Sequence, residues 1–128
     1  MTVGGSDAPH LPQPAPIEAY GDGGFRFAGM SHRGSLLCFP DGIWAWPVVA
    51  PDQLDERRLA AAFDRAQALD FFLIGAGRDP WPLPGDLRQR FRDLSLSVDT
   101  MPTGAAVRTY NILLAENRRV GAGLIAVA

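Results

Sequence analysis

The stretch FFLIGAG, Phe71 to Gly77, decides the fold. It is a continuous apolar run ending in glycines, with no polar residue to mark a solvent face. Such a run suits a strand buried on both faces in a parallel sheet. Parallel neighbours need crossover helices, and the flanking sequence supplies them. Upstream, DERRLAAAFDRAQALD (55–70) repeats Leu59, Phe63, Ala66 and Leu69 at helical spacing, with Asp52 or Asp55 as N-cap and Arg57, Arg58, Asp64 and Arg65 on the opposite face. Downstream, the breaker-rich RDPWPLPGD precedes a helix from about Asp86, in which Leu87, Phe91 and Leu94 step along one side.

A second strand, LSVDT, then leads to Thr103, read as the N-cap of a third helix reaching about Glu116. Asn117 fits the left-handed position that closes it. The last segment, RRVGAGLIAV (118–127), is small and apolar on both alternating faces, as a central strand requires. Gly121 and Gly123 leave room there for a neighbouring backbone or a bulky side chain.

Ahead of this alternation the pattern is all β. FRFAG, GSLLCF and IWAW read as an antiparallel meander, with a tight turn at Pro40, Asp41 and Gly42. Ile43 and Ala45 face one side of it, Trp44 and Trp46 the other. Residues 1–16, with four prolines and few apolar side chains, read as a disordered tail. The expectation is therefore a single α/β domain over 17–128, prefaced by an antiparallel ribbon.

Composition limits the function. A chain of 128 residues with net charge -2 can bury roughly two-thirds of its unfolded surface, enough for one core. All twelve basic residues are arginines, scattered among acids, so the basic footprint of a nucleic-acid binder is missing. No apolar run approaches the roughly 20 residues of a membrane helix. The single cysteine, Cys38, and the lack of a targeting pattern in MTVGGSDAPHLPQPAP fit a cytoplasmic protein.

No complete catalytic set emerges. Cys38 within LLCF reads as a small core hydrophobe. His10 and His32 lack the partners of a metal site, so neither metal nor cofactor is expected. No GxSxG elbow occurs. What remains is GAGRD (75–79), a glycine turn beyond a strand end, where open α/β sheets bind ligands. Gly75, Gly77 and Arg78 there, with Arg108, Thr109 and Asn111 on the polar side of the third helix, form a candidate ligand or anion site. The bland alternative is a sharp turn and an ordinary packed helix. Glu116 reads as an ion-pair partner of Arg118 or Arg119. Trp81, between prolines, is the candidate interface anchor, while core packing competes for Trp44 and Trp46.

The segments GGFRFAG, IWAW and FFLIGAG, and above all MPTGAAVRTYNILLAENRRVGAGLIAV, resemble a family of small bacterial and archaeal domains of unknown function that includes mitochondrial complex I assembly factor 3 and an adipogenesis-associated relative. The likeness runs from Ile17 to Val127. It implies a three-layer α/β domain with a central mixed sheet of five strands, the last strand inside the sheet and antiparallel to the others. Ala76 stands where the family usually has threonine, and Asn117 where it often has glycine. For function the resemblance implies a non-enzymatic domain that binds a protein partner during assembly of a larger, membrane-associated complex. A small-molecule or anion site at the glycine turn, with enzymatic use open, is the alternative. The residues name neither the partner nor an oligomeric state.

Overall fold

The computed structural model describes residues 8–128. Two sheets form. Strands β1 (Ile17–Gly21), β2 (Gly24–Phe27) and β3 (Met30–Arg33) make a small antiparallel sheet. Strands β4 (Ser35–Phe39), β5 (Gly42–Trp46), β6 (Phe71–Gly75), β7 (Ser97–Met101) and β8 (Val120–Leu124) make the central one, in the order β5-β4-β8-β6-β7. Three helices accompany them, α1 (Ala60–Asp64), α2 (Gly85–Asp93) and α3 (Thr103–Ala115). The expected meander is thus divided. FRF belongs to the small sheet, with Ala28 and Gly29 at positive φ turning the chain into β3, and Gly34 at φ 99° hands it to the central sheet.

Strand β8 lies inside the sheet, but it is not antiparallel to all the others. It pairs antiparallel with β4 and parallel with β6, which is parallel to β7. The reason is connectivity. β6, β7 and β8 are joined through α2 and α3, and crossovers keep strands parallel. β4 and β5 are a tight hairpin and must oppose each other.

Alternation then separates two cores. Leu37, Phe39, Trp44, Trp46, Phe72 and Ile74 point to the side covered by α1 and α2. Leu36, Cys38, Ile43, Leu73, Ala122 and Leu124 point to the side covered by α3 and the small sheet. These are the three layers. On β8, Gly121 and Gly123 fall on the first side, under the rings of Phe39, Phe72 and Trp46. Trp44 and Trp46 are both buried, so neither is a surface anchor. The Trp46 indole N–H donates to the Arg58 carbonyl at 3.0 Å.

Several local expectations change. The first helix is one short α segment followed by a 3-10 turn at Ala66–Ala68. The Ala61 carbonyl, which an α-helix would offer to the Arg65 amide, accepts instead from the Arg65 guanidinium at 3.0 Å. That guanidinium also pairs with Asp41 and lies over Phe39 and Trp44. Asp55 accepts from Arg58 N at 2.9 Å in the turn ahead of this segment, but the N-cap of α1 is Leu59, which makes no side-chain cap bond, so neither Asp52 nor Asp55 caps the helix itself. Asn117, at φ 61°, closes α3 as expected, with Arg118 N donating to Leu113 O. Arg118 and Arg119 pair with Asp70 rather than Glu116. Hydrogen bonds from Arg119 hold the Asp70 carboxyl below its usual range.

The N-terminal expectation meets the structure only from residue 8, residues 1–7 lying outside the described residues. Beyond them the segment is attached to the fold. His10 N donates to Ile43 O, Ile43 N donates to Leu11 O, and Ala15 is buried. β5 is an edge strand with free backbone groups, and an extended proline-rich segment can use them because it needs only alternate donors.

Candidate functional site

The carboxyl ends of β6, β7 and β8 gather at one rim of the sheet. There the chain leaves β6 toward the α2 face and leaves β7 toward the α3 face, so a crevice opens between diverging segments. One buried hydroxyl ties the rim together. Thr103 Oγ1 donates to Ile125 O at 2.7 Å and accepts from Gly77 N at 2.9 Å, while Thr103 N donates to Gly77 O at 2.8 Å. Thr103 is therefore the first residue of α3, and Pro102 occupies the N-cap position. The expected capping role is replaced by a three-way clamp, in which the hydroxyl ties the start of α3 to Gly77 after β6 and to Ile125 after β8.

Of the six candidate ligand residues, three come together. Gly77, Arg78 and Arg108 line an open cleft of about 430 Å³ with Tyr20 and Gly104. Gly77 has φ 102° and open space around it, so it serves as a turn. The guanidinium groups of Arg78 and Arg108, like those of Arg33, Arg57 and Arg88, enter no ion pair or hydrogen bond among the described residues, but Arg78 and Arg108 share one cleft, whereas Arg26, Arg58, Arg65, Arg90, Arg118 and Arg119 all pair with carboxylates.

The other three sit elsewhere. A Cβ on Gly75 would lie 3.1 Å from Leu124 Cδ2 and Thr103 Cα, so this glycine lets α3 approach β6. Thr109 donates to Met101 Sδ at 3.6 Å. Asn111 spends its amide on β1, accepting from Ile17 N at 2.8 Å and donating to Ile17 O at 2.9 Å. Tyr20 was not readable as a cleft residue. Its hydroxyl stands over Gly104, where a Cβ would overlap it, and that contact joins segments more than eighty residues apart.

Trp81 is half-buried, resting on the core beside a second hollow of about 500 Å³ that also takes in Val49, Pro51 and Arg78. Cys38 is buried, and burial pushes its thiol up to about 12, so it stays protonated at neutral pH. It meets the Tyr110 hydroxyl, raised still further by the same burial, without a well-formed hydrogen bond between them. The rings of His10 and His32 lie tilted to one another with centroids 4.9 Å apart, and no group of three or more metal-ligating side chains occurs among the described residues. No described helix is long and apolar enough to cross a membrane.

Comparison with known proteins extends these observations. An uncharacterized protein of Rhodobacter capsulatus is 40% identical over 110 residues, covering 86% of this chain and 83% of its own. NADH dehydrogenase [ubiquinone] 1 alpha subcomplex assembly factor 3 of Mus musculus is 25% identical over 115 residues, 90% of this chain. The chain spans 62% of that assembly factor's length. A crystal structure described as an outer membrane protein from Bartonella henselae superposes with a TM-score of 0.89 at 46% identity, covering 93% of this chain and 100% of that one. The model of the family described as "Protein of unknown function (DUF498/DUF598)" matches residues 17–125, and the chain belongs to that family.

Proposed function

We propose that this domain is a non-enzymatic assembly partner that binds another protein while a larger, membrane-associated complex is put together. The observation that carries the reading is homology to a complex I assembly factor along 90% of the chain. The polar side chains are consistent with it: Thr103, Asn111 and Asp70 are engaged in holding segments together, and the one thiol is buried and protonated. The test is to tag the chain in its own cells, solubilise membranes in mild detergent and run native gels. Comigration with a membrane-bound subcomplex, and a reduced amount of assembled NADH dehydrogenase when the chain is deleted, are expected. Neither comigration nor any change in assembled complex would refute the reading.

A second reading keeps one specific observation, the two unpaired arginines of the Gly77 cleft. An anion or small carboxylate held between Arg78 and Arg108 would stabilise the fold in proportion to its affinity. A thermal-shift screen of inorganic phosphate and small dicarboxylates tests it, and no shift in any of them counts against it.

A further inference from the structure

The two hollows at the rim are one feature. Both include Gly77, Arg78 and Val127, so the surface runs continuously from Val49 and Trp81 at one end, past Arg78, to Arg108 and Tyr20 at the other. Its two ends differ chemically. The first is apolar: Val49 is 79% exposed, the largest value among exposed large hydrophobics, and it faces the same hollow as the indole of Trp81. The second is basic, with Tyr20 43% exposed next to Arg108. One acidic side chain, Asp79, lies along the surface against two arginines that no carboxylate of the described residues neutralises.

Taken together, the geometry points to this groove as the docking site for an extended, acidic peptide segment of a partner protein, carrying one or two large apolar residues next to its carboxylates. The proposal rests on the partner-binding reading above and names the chemistry of the partner. Charge complementarity selects the occupant: guanidinium groups free of internal partners are the forks that carboxylates fit, and an aromatic lining an open hollow is a favoured anchor. A free inorganic anion would use only the basic end and leave Val49 and Trp81 unexplained.

The experiment selects a random twelve-residue peptide display library against the full chain and repeats the selection against the R78E/R108E variant. Enrichment of sequences with clustered Asp or Glu beside Leu, Phe or Trp is expected, with binding about tenfold weaker to R78E/R108E and to Val49→Ser, and recovery of basic peptides on the charge-reversed chain. Val49→Ser is included because Trp81 also packs on the core, so loss with Trp81→Ala alone would be ambiguous. No enrichment, enrichment of neutral or basic peptides on the native chain, or unchanged binding in both variants overturns the proposal. Complete displacement by inorganic phosphate at matched ionic strength also overturns it. The R78E/R108E chain is then carried through the native-gel test. If it comigrates as the native chain does, the groove is wrong and assembly stands; if the native chain itself comigrates with nothing, the assembly reading has failed.

Discussion

The tripeptide Gly-Ala-Gly occurs twice, at 75–77 and at 121–123, and does different work each time. In β8 both glycines are space for neighbours. A Cβ on Gly121 would lie 3.0 Å from Phe39 Cδ1, and one on Gly123 would lie 2.6 Å from Trp46 Cη2. At the end of β6, Gly75 is again space, here for α3, but Gly77 has φ 102° and nothing near it. Its glycine is required by backbone conformation. Local sequence sets what a residue is able to do, and the strand register decides which ability is used.

The largest effect expected from this contrast is at Gly123. Gly123→Ala should cost about 3 kcal/mol, because the new methyl meets a buried indole fixed by its bond to Arg58 O and cannot move it cheaply. Urea denaturation measures this. Trp46→Phe removes the outer indole carbons, so in the double variant the two costs should fall well short of additive. Additive losses would mean that the crowding at Gly123 does not involve Trp46.

Next comes the clamp that connects the second tripeptide to α3. Thr103→Val keeps the shape of the side chain and removes a hydroxyl that serves Gly77 N and Ile125 O. Leaving those groups without this partner should cost about 2 kcal/mol. Amide hydrogen exchange gives a sharper readout than global stability, since protection should fall at Gly77 first. Equal loss across the whole of β8 would show that the hydroxyl supports the sheet and not the rim.

Gly77→Ala should cost about 1–2 kcal/mol, from backbone strain alone, since the methyl would enter open space. Its cost should therefore be insensitive to any core substitution. A coupling between Gly77→Ala and Trp46→Phe would break the distinction between the two tripeptides.

Much of this was legible from sequence, and the division follows the range of the interactions. Phe71–Gly75 and Val120–Leu124 read correctly as buried strands because a run without polar residues has no solvent face to offer. Asn117 was readable because a left-handed cap is a property of one residue and its helix. The features that were not readable join distant segments. Thr103 as a clamp depends on where Ile125 falls, and Leu11 on β5 depends on Ile43 being at an edge. Of the candidate site, Arg78 and Arg108 converge because α3 begins where β6 ends. Asn111, three residues further along α3 than Arg108, meets Ile17 instead. A polar stripe on a helix does not announce which of its members the neighbouring strand will claim.

The smallest effect is one of pH, and it isolates the tripeptides from the rest of the fold. His32 is held below its ordinary value, chiefly by burial and then by the charge of His10, against a bond to the Ser35 carbonyl that acts the other way. The folded state thus binds this proton less readily than the unfolded chain. His32 leaves stability unaffected above its unfolded value of about 6.5 and reduces it as pH falls through that value toward the lower folded one. The urea midpoint should decline modestly from pH 7.5 to pH 5.5, and less steeply in His10→Gln, where one of the two causes is gone. Asp55 and Asp70, held low by their arginines, stay charged across that window and add no slope. No imidazole or carboxylate lies among the atoms that a Cβ at Gly77 or Gly123 would meet. The costs of Gly77→Ala and Gly123→Ala should then be the same at both pH values, and a cost that changes with pH would couple one of the tripeptides to a group that titrates in that window.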